Sequence, residues 1–323
     1  MGGQHVKAGA ERVAAASPDD LFRAHARGLW GLAYRLTGSA EDAEDVVQEA
    51  FARLIERPPS GDQPLGPWLA RVATNLGIDA LRRRRRRRYA GHWLPAPAEA
   101  PDDEWRDRLV SREPDPEARY GLLESASYAF LLALEALGPR QRAVLLLRDV
   151  LGYTAAETAA AIGTSEGNVR VLHLRARRAL EGYDRARCIP TSELRARHRA
   201  ALERFLACLL SQDARALETL LAESVEAATD GGGAYTALAA PLHGRARVAR
   251  FFLRAALHRR SSAATTEIRL VNGLPAALIT LGSPVRRQAP RSVLELELDE
   301  AGRIRAIRAI LAPRKLGAVR FGP

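Results

Sequence analysis

The segment Tyr153–Leu180, YTAAETAAAIGTSEGNVRVLHLRARRAL, limits the possible folds of this 323-residue chain more than any other. Ala159, Gly163 and Val169 stand at offsets of four and ten. Two closely crossing helices need a small residue inside the first, a glycine-like turn, and an apolar residue locking the second, and these positions meet all three demands. Ser165 suits the N-cap of the second helix. Glu166, Arg170 and Arg177 share that helix's outward face, with Val171 and Arg175 on adjacent stripes. Such a helix fits the major groove, where arginine bonds guanine bidentately or neutralises phosphate. An ordinary helical hairpin with surface arginines is the alternative in so Ala-rich a chain. Agreement of cap, turn and basic face favours DNA. His173, one turn beyond Val169, is expected to pack rather than read a base.

The rest of the chain is read around this module. The net charge is +11, and Lys7 and Lys315 are the only lysines, so nearly every positive charge is a guanidinium. The excess is uneven, +9 over residues 192–323 and −4 over 90–119. Two cysteines, Cys188 and Cys208, exclude a disulfide framework and a four-Cys zinc site. No run approaches roughly 20 apolar residues, and the N-terminus lacks a signal-peptide core. A cytoplasmic protein without membrane segment, metal or cofactor is expected. Residues 1–17 read as a flexible tail, and 18–89 as a helical domain. There Leu29, Leu32 and Leu36 form one stripe, Ser39 caps a second helix, and Pro67 opens a third that runs into seven consecutive arginines, Arg82–Arg88. Such a run suits DNA phosphates, or simply a solvated helix end. Asp42, Asp45, Gln48 and Glu49 form a polar face that would repel DNA, which points to a basic protein partner. Residues 90–119 read as an acidic, proline-rich linker. Helices over Leu122–Leu137 and Arg140–Leu151 precede the helix-turn-helix, giving a domain over 120–187. Over 192–319 two helices give way to strands at Val225–Ala228, Ala276–Leu281 and Arg291–Leu298, the last with alternating Leu and Glu.

In this order the pieces resemble bacterial RNA polymerase sigma factors of the extracytoplasmic-function (ECF) type. LTGSAEDAEDVVQEAFARL (Leu36–Leu54) resembles the core-binding part of sigma region 2, and PWLARVATNLGIDALRRRRR (Pro67–Arg86) the part that melts and reads the −10 element. LGPRQRAVLLLRDVLGYTAAETAAAIGTSEGNVRVLHLRARRAL (Leu137–Leu180) resembles region 4, which reads the −35 element. The resemblance implies a multidomain protein: all-α regions 2 and 4 followed by an α+β SnoaL-like cone with a curved mixed sheet. It implies that Asp42, Asp45, Gln48, Glu49 and Phe51 bind the β′ clamp of core RNA polymerase, with a further contact to the β flap. It places Asn75, Asp79, Arg82 and Arg83 at the −10 strand, and a flipped base at the loop 57–66. Ser165, Glu166, Asn168, Arg170, Val171, Arg175 and Arg177 would meet the −35 element of promoter DNA.

The C-terminal part resembles the SnoaL-like domain of one ECF subgroup. Trp93, Leu94 and Pro95 resemble its Trp-Leu-Pro motif, and Asp230, Gly231, Gly232 and Gly233 its Asp-Gly-Gly-Gly motif. Pro313, Lys315 and Leu316 belong to its Asn-Pro-Asp-Lys-Leu signature, with Ala312 and Arg314 replacing Asn and Asp. This implies intramolecular contact between that domain and the sigma regions, modulating activity in cis. Other readings are a helix-turn-helix regulator independent of polymerase, or a SnoaL-like isomerase or cyclase fused to a DNA-binding module. Catalysis would need Asp230, His243 and His258 to converge, which no spacing demands. No enzymatic activity is expected.

Overall fold

The computed structural model describes residues 17–59, 64–86, 89, 91–99, 120–260 and 263–322. The expected tail, the run's last arginines Arg87 and Arg88, the tip of the loop 57–66 and most of the acidic linker lie outside these residues. Two compact units emerge: 1–87, 101–126 and 130–187 in the first, 88–100, 127–129 and 188–323 in the second.

The first unit is helical. Helix α1 (Pro18–Thr37) starts on Ser17 and ends at Gly38, whose φ of 68° suits glycine. Helix α2 (Ala40–Glu56) is capped by Ser39, whose hydroxyl accepts from the Asp42 N–H. Helix α3 (Leu65–Arg86) begins two residues before Pro67, which sits in the first turn where a missing N–H is harmless. Leu29, Leu32, Leu36, Ala43, Ala50, Leu69 and Ala73 are buried among these three helices. At Gly77 of α3 an added Cβ would lie 2.4 Å from a methyl of Leu36, so the glycine allows the helices to approach.

The expected helix over Leu122–Leu137 is instead two, α4 (Leu122–Ser125) and α5 (Tyr128–Leu134). The break falls at Ser125–Ser127, where serines compete with the helical ladder and the Ser125 hydroxyl accepts from Arg35 at 2.8 Å. Helix α6 (Pro139–Leu145) passes into a π-helical turn at Leu146–Val150. There the Leu151 N–H reaches back to the Leu146 carbonyl at 3.0 Å. Helices α7 (Ala155–Ile162), α8 (Glu166–Ala179) and the short α9 (Glu181–Arg185) complete the unit.

The second unit packs α10 (Ser192–Ser211), α11 (Ala214–Leu220) and α12 (Arg245–Arg260) on one face of a sheet. Among the described residues its strands are β1 (Leu221–Asp230), β2 (Leu242–His243), β3 (Ala264–Val271), β4 (Leu274–Leu281), β5 (Arg291–Leu298) and β6 (Ile304–Ile310), in the order β2-β1-β6-β5-β4-β3. Only β1 and β6 run parallel. Strands β2, β3 and β6 and helix α12 go beyond the sequence expectation.

Paired residues share a sheet face. Ala227, Ile307 and Leu296 therefore point to the helices and meet Leu202, Phe205, Val248 and Phe252 in the core. Asp230, Ile310 and Val293 line the opposite face, as do Arg308 and Glu295. That face is buried as well: Ile310 and Val293 have no exposed surface. Among the described residues no helix is long and apolar enough to cross a membrane.

Candidate functional site

The helix-turn-helix is built as its spacing requires. Ala159 and Val169 are buried where α7 and α8 cross. Gly163 has a φ of 63°, and its N–H closes on the Ala159 carbonyl. The Thr154 hydroxyl and Glu157 carboxylate cap α7 reciprocally. The Ser165 hydroxyl accepts from the Asn168 N–H at 3.2 Å, which fixes the start of α8. Glu166, Asn168, Arg170, Val171 and Arg175 are exposed along α8, and Arg170 pairs with Glu166 at 3.0 Å. Leu174 and Arg178 extend this outward surface and were not singled out from the sequence.

Arg177 differs. It is half-buried and bonds the Asp149 carboxylate at 2.9 and 3.2 Å, while His173 meets the same carboxylate at 2.8 Å. Asp149 is itself 1% exposed. Burial pushes its pKa up, but the hydrogen bonds from His173 and Arg177 outweigh this and hold it below the ordinary carboxylate range. His173 thus packs, as its position predicts, and Arg177 serves as an internal tie. The π-helical turn brings Asp149 to this position, a displacement invisible in the residue pattern.

In α2, Asp45, Gln48 and Glu49 are exposed on one face and Asp42 is half-buried, with Glu49 paired to Arg53 at 2.8 Å. Phe51 turns inward instead, 8% exposed, its ring 4.8 Å from that of Phe22. In α3, Asp79, Arg82 and Arg83 are exposed, and Asp79 pairs with Arg82 at 2.9 Å. The Asn75 amide instead donates to the Ala161 carbonyl of α7 at 2.7 Å.

The arginine run is likewise divided. Arg84 donates to the Thr37 carbonyl and pairs with Glu135 at 2.5 Å, and Arg85 donates to the Leu137 carbonyl at 2.6 Å. Arg142, 1% exposed, pairs with the same Glu135 and donates to the carbonyls of Leu36 and Leu134. Arg82, Arg85 and Arg86 line one surface depression together with Leu172 and Arg175 of α8.

The three C-terminal motif segments meet in the second unit, around Asp230. Its carboxylate accepts from the Tyr89 hydroxyl at 2.6 Å, the Leu94 N–H at 2.9 Å, the Gly232 N–H at 3.0 Å and the Lys315 ammonium at 2.5 Å. Lys315 also donates to the Leu94 carbonyl and lies 4.1 Å from the Trp93 ring centroid and 4.7 Å from that of Tyr89. Burial and the neighbouring Asp230 carboxylate hold the Tyr89 proton in place, raising its pKa well above the phenol range. Each buried charge here therefore has its partners, which such a site requires.

The glycines are needed for space. A Cβ on Gly231 would stand 2.5 Å from the Tyr235 carbonyl oxygen, and Gly232 has a φ of 58° with Ala312 against it. Ala312, where the subgroup signature has Asn, is buried and uses its backbone N–H, which bonds the Asp230 carbonyl at 2.9 Å. Arg314, in place of Asp, is exposed.

The linker is held beyond Leu94 as well, through Pro95, Ala98 and Glu99. Ala98 exchanges hydrogen bonds with Asn272, Glu99 pairs with Arg269 at 2.5 Å, and the Tyr128 hydroxyl donates to the Pro95 carbonyl at 3.0 Å. Residues 91–99 thus run from the end of β1 to the β3–β4 turn across the face opposite the helices, with Leu94, Ala96 and Ala98 buried. The expectation of a linker throughout 90–119 is corrected for this part. The alternating apolar residues between prolines bury themselves on the sheet.

Asp230 also lies on the wrong face for chemistry in the cone. The cavity between sheet and α12 is lined by Thr229 and His258, whereas His243 is exposed on β2. The three candidate proton-transfer groups do not converge. Among the described residues no cluster of His, Cys, Asp and Glu could hold a metal.

Residues 21–87 match the family model Sigma-70 region 2, and residues 127–180 match Sigma-70, region 4. The ECF RNA polymerase sigma factor SigJ of Mycobacterium tuberculosis is 33% identical over 234 residues, 72% of this chain and 71% of that one. A second protein of that organism, "Probable ECF RNA polymerase sigma factor SigI", is 30% identical over 300 residues, 93% of this chain and 94% of its own. The chain belongs to the ECF sigma factors. The crystal structure of SigJ superposes with a TM-score of 0.66 at 28% identity, covering 90% of this chain and 95% of that one. The likeness thus extends through the SnoaL-like domain, an α+β cone on a curved mixed sheet.

Within this sigma factor, sequence reading missed Tyr89 and Asn272 as holders of the linker, and Asp149 and Glu135 as internal anchors. Asn272 carried a usable signal. Asn-Gly flanked by apolar residues marks a tight hairpin, and Asn272 and Gly273 have φ values of 50° and 81°.

Proposed function

We propose that this sigma factor binds core RNA polymerase in the cytoplasm through the exposed face of α2, with Asp42, Asp45, Gln48 and Glu49, and directs it to promoters. In this reading Asp79, Arg82 and Arg83 meet the −10 element once Asn75 is released from Ala161, and α8 reads the −35 element through Arg170 and Arg175. The observation that carries the proposal is the capped helix-turn-helix with Arg170 and Arg175 exposed along α8; the depression shared by Arg82 and Arg175 bears on its present state. The two promoter elements lie roughly 25 base pairs apart, on the order of 80 Å at about 3.4 Å per base pair. Residues lining one depression do not reach both. The described arrangement is therefore a closed one, and the first unit opens on engaging polymerase and promoter.

The linker held at Asp230 supports modulation in cis. Residues 89–99 lie in the chain between the two sigma regions, so fixing them on the SnoaL-like domain restricts how far those regions separate. Reconstituted transcription on a cognate promoter tests this, comparing the full chain, Asp230→Asn and a chain ending at Arg187. Higher output from both altered proteins is expected. Equal output from all three would overturn the regulatory reading, and failure of every form to bind core polymerase would overturn the first.

A further inference from the structure

The cavity on the helix-covered face of the SnoaL-like domain has no part in the linker contacts. It has a volume of about 320 Å³, within the range of small-molecule sites. Its inner wall is apolar: Phe252, Leu294 and Ala309 are buried there. Its mouth is cationic. Arg254, Arg286 and Arg287 line it and are exposed, and no Asp or Glu lines it among the described residues. None of these three guanidinium groups takes part in an ion pair among the described residues.

The loop bearing two of them is fixed. The Gln288 N–H bonds the Val285 carbonyl at 2.9 Å, the Gln288 side chain accepts from the Val285 N–H at 3.0 Å, and the Arg287 carbonyl accepts from the Thr236 N–H at 3.0 Å. Arg287 is held at a φ of 65°, a left-handed conformation that a non-glycine residue adopts only under strain. Strain of this kind persists where surrounding structure enforces it, often at ligand sites. Three like charges lining one largely apolar hollow, exposed and without a carboxylate among its lining residues, disfavour one another. An anionic group seated among them relieves this, and an apolar body fills the hollow behind it.

We propose that this cavity binds a small organic acid, with its carboxylate at Arg254, Arg286 and Arg287 and its apolar body against Phe252, Leu294 and Ala309. The inference is independent of promoter recognition and of the linker contacts.

Isothermal titration of the full chain with octanoate and 2-naphthoate, each against its neutral amide, tests it. At least one acid is expected to bind at a single site, at least tenfold more tightly than its amide. Arg254→Gln and Arg287→Gln, both at exposed positions, should each weaken the acid several-fold and leave the amide unchanged. Ala255→Phe, which narrows the cavity, should abolish binding while an unchanged melting temperature shows the fold intact. Equal affinity for acid and amide, or no binding of either acid at millimolar concentration, would overturn the proposal. So would acid binding that survives both arginine substitutions.

Discussion

Asp230 shows how much one buried carboxylate can organise. Four donors converge on it from three separated parts of the chain. Asp230→Ala leaves the Lys315 ammonium buried without its counter-charge, at a cost of about 3–5 kcal/mol. The expected result in hydrogen exchange is loss of protection across residues 91–99, with part of the stability restored by adding Lys315→Met. Glu295 is the contrary case. It lies buried beside Arg308, yet neither carboxylate oxygen has a hydrogen-bond partner, and burial lifts its pKa to about 8 against the opposing pull of Arg308. A folded value above the ordinary 4.5 means a stabilising contribution complete below pH 4.5 and lost as pH rises through 8. Glu295→Gln should therefore leave the melting temperature almost unchanged near pH 4.5 and raise stability by a few kcal/mol near pH 8. An equal gain at both pH values would count against this assignment. His198 has the opposite slope, since burial lowers its pKa to about 4 and stability falls as pH drops from 6.5 toward that value.

Helix α8 does two tasks with neighbouring arginines. Arg175 is exposed, and Arg177 is bound to Asp149. Arg175→Ala is expected to weaken promoter duplex binding by about 1–3 kcal/mol in an equilibrium titration, with little change in melting temperature. Arg177→Ala should act the other way round, lowering the melting temperature by unbalancing a buried carboxylate. Matching effects of the two would remove the distinction. Helical periodicity made α8, its cap and its turn legible, but a 3.6-residue period places Arg170 and Arg177 on one face and says nothing of a carboxylate arriving from a π-helical turn. Strand β1 makes the same point in the sheet. Thr229 faces the cavity and Asp230 the linker, because successive residues alternate across the sheet, and knowing which face is which requires the pairing with β6.

In the first unit, the segments resembling regions 2 and 4 share one body held by Arg142, Arg84 and Asn75. If that body is the closed state, a short bis-maleimide cross-link between Asn75→Cys and Ala161→Cys should abolish promoter-dependent transcription. The background is a chain with Cys188 and Cys208 replaced by serine, and the uncross-linked protein is the control. Full activity after cross-linking would show that opening is unnecessary. Arg142→Ala should cost about 3–5 kcal/mol in urea denaturation, since it strips two buried carbonyls and Glu135 of a fully buried partner.

The order of the helices, the helix-turn-helix with its caps, the exposed acidic face of α2 and the alternating strand β5 could all be read from the residues. Each depends on interactions between positions only a few residues apart, where periodicity and capping chemistry act. Other features waited for the folded chain: Asn75 turned toward Ala161, the arginine run split between carbonyls and solvent, residues 91–99 of an acidic linker buried on a sheet, and Asp230 on the sheet face away from the cavity. These depend on which groups meet across long stretches of sequence, from Thr37 to Arg84, 47 residues apart, up to Leu94 and Lys315, 221 residues apart. Local preference carries no record of such encounters; burial and charge pairing settle them only when the whole chain has packed.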